Sequence, residues 1–223
     1  MGIPEIDKLL GIEDYATKTA GIGGVIREEV EDFVVEEVLV DGSKASVNGE
    51  VQKRVLGSNT QKTRFLLCTL VKRNWDTFIA TKNIAMSLGI DQARVQFAGI
   101  KDAKAVTAQH ITIENVSMEE VAKIEVKDIQ VRPIGYVREM LSLFYLLGNN
   151  FTITIKSIKE PEVTIKENVA KTAHEINEIG GVPNFFGHQR FGTTRPITHL
   201  VGKALVNGDF EGAAMLFLAK PSD

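Results

Sequence analysis

A chain of 223 residues with a net charge of -3, a pI near 5.9 and 25% charged residues has the balance of an ordinary water-soluble globular protein. That balance excludes the overall basic footprint common among nucleic-acid binders, so any RNA or DNA contact must come from a local patch. A single cysteine, Cys68, excludes an internal disulfide, and no apolar run reaches membrane-spanning length.

Residues 1–20 are of mixed character and lack the apolar core of a signal peptide; with Cys68 inside the apolar run FLLCTLV, this leads to an expected cytoplasmic location. Gly21, Gly23 and Gly24 lack the full spacing of a dinucleotide-binding loop and mark a turn entering a strand at Val25 and Ile26, followed by a second strand over 32–40. Residues 41–62, rich in Ser, Gly, Asn and Lys, predict a mobile hairpin loop whose lysines and Arg54 are solvated. The continuous apolar run 65–71 predicts a strand buried on both faces. Asp76 is placed to cap a helix that ends at Gly89.

The stretch 97–113, FAGIKDAKAVTAQHITI, is the centre of the chain's chemistry. Val95 and Phe97 alternate as a strand would, Ile111 and Ile113 do the same, and Gly99 permits a sharp turn between them. That turn sets Asp102 between Lys101 and Lys104 at the end of a rigid strand. An ionised carboxylate so held can act as a nucleophile, although an aspartate is also a common turn former.

Beyond it, residues 117–123 predict a short helix and 129–136 an extended segment. In GNNFTITIKSI, Phe151, Ile153 and Ile155 alternate with Thr152, Thr154 and Lys156, so Phe151 is expected to begin a strand on its buried side. Residues 162–179 carry a helical stripe of Ile165, Val169, Ala173 and Ile176, closed by Gly180 and Gly181. GGVPNFFGHQRFGTTRP follows, a segment in which Arg190 and Arg195 suit phosphate contacts and the aromatics suit stacking. Two helical segments, 197–206 and 209–219, finish the chain. His110, His174, His188 and His199 show no paired metal-ligand spacing, and no phosphate-binding loop or serine-nucleophile elbow is present.

Taken together, four ordered motifs resemble one family. FAGIKDAKAVTAQ resembles the signature around the catalytic aspartate of the TruD family of tRNA pseudouridine synthases, and VPNFFGHQRFG resembles a second signature of that family. EDFVVEE and LLGNNF fit two more, and KRNWDT is like archaeal members. The resemblance implies an isomerase that converts uridine to pseudouridine in RNA, typically at tRNA position 13, without cofactor or metal. It implies Asp102 as the catalytic carboxylate, Phe151 as the stacking aromatic and Asn149 as an active-site amide. Arg27, six residues before Phe33, stands where the family usually has lysine; it is assigned to orient Asp102. Phe33, Lys101, Lys104, Arg190 and Arg195 complete the expected substrate-binding set, the four cations facing RNA.

The implied fold is α+β, a pseudouridine synthase core with a mixed, largely antiparallel sheet flanked by helices. Residues 1–192 are expected to form the N-terminal part of that core, and 193–223 the beginning of the family's inserted domain, both incomplete. Met140 stands where members commonly have lysine, and Phe144 and Tyr145 replace a usual Gly-Asp pair. The family's greater length implies a truncated chain, open to self-association or to complementation by a missing C-terminal half. Two rival readings accompany the enzymatic one: a fragment that only binds RNA, and a non-enzymatic interaction domain with an exposed sheet edge.

Overall fold

The computed structural model describes residues 2–49, 55–192 and 195–219. In chain order they form α1 (Glu5–Lys8), β1 (Val25–Ile26), β2 (Phe33–Leu39), β3 (Phe65–Arg73), α2 (Thr77–Leu88), β4 (Val95–Phe97) and β5 (Val106–Glu114). Then come α3 (Met118–Val121), β6 (Ile129–Val137), β7 (Leu146–Ile153), β8 (Ile155–Lys156), α4 (Glu162–Ile179), α5 (Thr198–Val206) and α6 (Phe210–Ala219).

A six-stranded mixed sheet runs β6-β3-β5-β2-β7, with β4 also paired to β5. Only β2 and β5 pair in parallel; the other ladders are antiparallel. The apolar run of β3 is flanked by β5 and β6, as its composition demands, and Leu66, Cys68 and Leu70 pack with Ile111 and Ile113 of β5 and with Ala80 and Ile84 of α2. Each such fully buried aliphatic side chain contributes about 1.5–3 kcal/mol. Pro133 is tolerated because β6 lies at the sheet's edge.

Asp76 caps α2 as expected: its carboxylate accepts hydrogen bonds from the backbone N–H of Phe78 and Ile79, at 2.8 and 3.1 Å. Gly89 closes the helix at φ 65°. Asp76→Ala is expected to lower unfolding free energy by about 1 kcal/mol, measured by denaturant titration; no loss would remove the cap from the account.

Contacts divide the chain into two compact units, residues 24–158 and the described parts of 1–23 and 159–223. The first holds the six-stranded sheet and a small β1–β8 ladder that pairs Val25 with Lys156 and Ile26 with Ile155. Gly24 is required there, at φ 92°, because a Cβ would stand 2.6 Å from Ile155 Cγ2 and 2.9 Å from the Lys156 carbonyl oxygen. The second unit holds the 18-residue helix α4, closed by Gly180 at φ 88°, and the helices α5 and α6. The expected boundary at 192/193 falls inside this second unit.

Two local expectations change. The segment 41–62 contains buried Ala45 and Val55, and Asn59 exchanges backbone hydrogen bonds with Tyr136, so its described parts are fastened to the sheet. Residues 50–54, with Lys53 and Arg54, lie outside the described residues. Phe151 does not begin a strand on a buried side: β7 starts at Leu146, and Phe151 is half exposed on the sheet's edge strand.

Candidate functional site

β5 divides one of its edges between two partners. β2 runs parallel to Val106–Ala108, and β4 runs antiparallel to Ile111–Ile113. The chain leaving β4 at Phe97 must therefore travel back to Val106, beside the start of β2, and this return segment carries Asp102. At Gly99 the backbone passes close to two side-chain ends: a Cβ there would lie 2.9 Å from Lys101 Nζ and 3.0 Å from Leu146 Cδ2.

Buried polar groups pin the return segment from beneath. Gln109 Nε2 donates to the Gly99 carbonyl at 3.0 Å, and the Lys101 backbone N–H donates to Thr77 Oγ1 at 3.1 Å. Lys72, at the end of β3, is fully buried and donates from Nζ to the carbonyls of Trp75 and Asp102, both at 2.7 Å, and of Lys101 at 3.3 Å. Lys101 Nζ turns inward to Glu37 Oε1 at 2.8 Å, in a pair only 2% and 0% exposed. Glu37 Oε2 accepts from the His110 backbone N–H at 2.8 Å and meets His110 Nδ1 at 3.2 Å. Burial works to raise the Glu37 carboxyl, but the hydrogen bond to His110 and the Lys101 ammonium outweigh it and hold the group below the usual carboxylate range.

The Asp102 carboxylate points the other way, and its side chain is 36% exposed. Arg27 Nη2 lies 2.6 Å from Asp102 Oδ1, and the guanidinium sits 3.7 Å above the Phe33 ring centroid. Arg27 adopts φ 59°, a conformation uncommon for a non-glycine residue and concentrated at functional sites. The β1–β8 ladder next to it is clipped to the entry of β2 by Lys156, whose Nζ reaches Glu29 at 2.6 Å and Asp32 at 2.8 Å. Those carboxylates, Asp32 first, hold the Lys156 ammonium above its ordinary range.

Phe33 continues the constellation, meeting Phe151 edge-on with ring centroids 5.9 Å apart. The register explains why. Val35 faces Phe151 and Glu37 faces Asn149 across β2 and β7, so Phe33, Val35, Glu37, Asn149 and Phe151 share one face of the sheet. Asp102, Arg27, Phe33 and Phe151 are thus joined by successive contacts, with Asn149 exposed two residues along.

The four cations expected to face RNA divide. Lys104 is exposed, and Arg190, in the second compact unit, is exposed with its guanidinium 5.0 Å from the Phe186 ring centroid. Lys101 is a correction: its ammonium is buried against Glu37 and does not face solvent. Arg195 turns inward as well, donating to the carbonyls of Leu216 and Phe217 near the end of α6 at 3.3 and 3.0 Å.

The sequence assigned no role to Lys72, Glu37 or Thr77, and weighed His110 only as a metal ligand. One signal was present: Glu36 and Glu37 are adjacent in a strand, so one of them must face inward and needs a cation. Among the described residues no group of three or more His, Cys, Asp or Glu is placed to hold a metal ion, and no helix is long and apolar enough to cross a membrane.

Comparison with known proteins places this geometry in context. The family model for tRNA pseudouridine synthase D (TruD) matches residues 9–223. A probable tRNA pseudouridine synthase D of Methanosarcina barkeri is 43% identical over 221 residues, covering 99% of this chain and 47% of that protein. One from Pyrococcus abyssi is 38% identical over 209 residues, covering 94% of this chain and 46% of its own length. The crystal structure of the putative tRNA pseudouridine synthase D from Methanosarcina mazei superposes with a TM-score of 0.81 at 40% identity, covering 100% of this chain and 48% of that one. The chain spans about half the length of the curated relatives it matches.

Proposed function

The chain belongs to the tRNA pseudouridine synthase D (TruD) family, and on that premise we propose that it isomerises uridine to pseudouridine in tRNA, expected at position 13, with Asp102 as the reacting carboxylate. The observation that carries the reading is the Asp102–Arg27 pair at 2.6 Å, set beside Phe33 and a half-exposed Phe151.

The reaction breaks the bond from ribose C1′ to base N1 and forms one from C1′ to base C5; a proton leaves C5 and N1 gains one. Atoms and electrons balance within the nucleotide, so side chains suffice for the chemistry. Asp102 acts at the sugar, as nucleophile on C1′ or as proton acceptor at the ribose. Arg27 holds the carboxylate through the Nη2 contact to Oδ1 and is itself steadied on the Phe33 ring, which fixes the direction of attack.

A uridine within folded tRNA must be extruded to reach Asp102, and the detached base must not leave before it is rejoined. Phe151 offers the aromatic face for that base, and Asn149, exposed on the same face of the sheet, offers hydrogen bonds to its polar edge. Lys104 and Arg190 supply surface cations for phosphates. Phe151→Ala is expected to cost ~1–3 kcal/mol of transition-state binding, read as a fall in kcat/KM under steady-state conversion of tRNA. An unchanged kcat/KM would remove Phe151 from the substrate's path.

The deciding experiment incubates the protein with an unmodified tRNA transcript and maps pseudouridine by sequence position, with Asp102→Asn alongside. Product at position 13 in the wild type alone supports the proposal. A folded wild-type chain that binds tRNA and converts no uridine overturns it for this chain and supports the RNA-binding reading.

A further inference from the structure

Lys72 is the group beneath the site whose chemistry the proposed reaction does not use. It is the penultimate residue of the largely buried strand β3, and its side chain has no exposed surface. An ammonium offers three N–H donors and no acceptor. Here three carbonyl oxygens converge on it from two separate segments: Trp75 ahead of α2, and Lys101 and Asp102 in the return segment. The donor count and the acceptor count match, so the backbone at Asp102 is wrapped around this one cation.

We propose that Lys72 is a positioning residue: its ammonium holds the turn that presents Asp102, and loss of its proton loosens that turn and lowers the rate of uridine conversion. The kinetic half rests on the synthase reading; the structural half does not.

The physical reason is geometric. A neutral amine keeps two donors and turns a lone pair toward the same three carbonyls, so one attraction becomes a repulsion. The charged groups facing Lys72 are few. Asp76 and Asp102 favour the ammonium and Lys101 opposes it, while across the ladders stand Thr107 of β5 and Ile129 of β6, which carry no titrating group. Burial is the largest influence and brings the group down from 10.5 to about 8.

The sign of the linkage separates this device from ordinary alkaline unfolding. With the folded value below the unfolded one, the unfolded chain binds more protons between about 8 and 10.5, so Lys72's own contribution to global stability rises across that window. Its hold on the turn falls as the folded group loses its proton at about 8, the lower edge of that window. Activity should therefore decline while the fold stays intact.

The test labels lysine Cε with carbon-13 and alanine methyls likewise, and follows the 223-residue chain by NMR from pH 6.5 to 9.5. Lys72→Met identifies the Lys72 signal. The expected result is a Lys72 titration near 8, with the Ala103 and Ala105 methyls shifting at the same midpoint and circular dichroism unchanged. In parallel, single-turnover conversion of tRNA falls through that midpoint, and Lys72→Met converts roughly a hundredfold more slowly with tRNA affinity within about threefold of wild type and no alkaline fall. Turn methyls that ignore the Lys72 titration, or a folded Lys72→Met with the wild-type rate, would overturn the proposal; should that variant not fold, the wild-type titration still decides. Coupled titration in a chain that converts no uridine at any pH would refute the synthase reading while upholding the hold of Lys72 on the turn.

Discussion

Asp102→Asn should reduce uridine conversion by at least roughly a thousandfold while leaving the protein folded and bound to tRNA. The substitution keeps the shape of the side chain and removes its charge. The contacts that build the turn are made by other atoms: the Asp102 carbonyl accepts from Lys72, and the neighbouring Lys101 N–H donates to Thr77. The melting temperature should therefore stay within about 3 °C of wild type. Arg27 loses its anionic partner at 2.6 Å but keeps the Phe33 ring beneath it, so its guanidinium remains at the mouth of the site. With one fewer negative charge facing a polyanion, tRNA affinity should be unchanged or slightly tighter. Single-turnover conversion with saturating protein, alongside a filter-binding isotherm, separates the two effects. A variant that retains a tenth of the wild-type rate would show that another group carries the reaction.

What the sequence made legible follows the range of the forces involved. Helix α2 was readable from its Asp76 cap and Gly89 stop, and α4 from its apolar stripe and terminal glycines, because capping and periodicity act over a few residues. The buried strand β3 was readable from an unbroken apolar run. The Asp102 turn was readable as a glycine-broken pair of strands, and the resemblance to a family supplied its chemistry. The start of β7 was not, because Gly148, Asn149 and Asn150 oppose strand formation locally and are held extended by pairing with β2, a contact set by the rest of the sheet. The direction of Lys101 was equally hidden. Alternation predicts facing only within regular strands, and in an irregular turn a lysine points wherever its partner lies. Lys72 lies just past the apolar run 65–71, where no local pattern says which way its side chain turns, and only the converging carbonyls of Trp75, Lys101 and Asp102 reveal why a cation belongs there.

Lys101→Met should be the most destabilising single change near the site, at roughly 3–5 kcal/mol. The methionine fills similar volume, so packing is largely kept. What is lost is the only ammonium facing Glu37 among the ion pairs formed by the described residues, and Glu37 has no exposed surface. An isolated buried carboxylate is costly, whereas the same site without the charge is not. Glu37→Gln in the Lys101→Met background should therefore recover most of the loss, since the amide oxygen can still accept from the His110 N–H. The pH dependence carries a second signature. In the wild type Glu37 is held below its ordinary range, so its contribution is present at neutral pH and declines as pH falls through the carboxylate range. In Lys101→Met burial dominates and raises the carboxyl, so protonation relieves the variant as pH falls. The stability gap between the two proteins should narrow from pH 7 toward pH 5, measured by urea unfolding at each pH. A gap that is constant, or a Glu37→Gln change that adds to the loss, would mean that Lys101 acts through packing. In that case the pair beneath Asp102 would not be the electrostatic anchor of the turn.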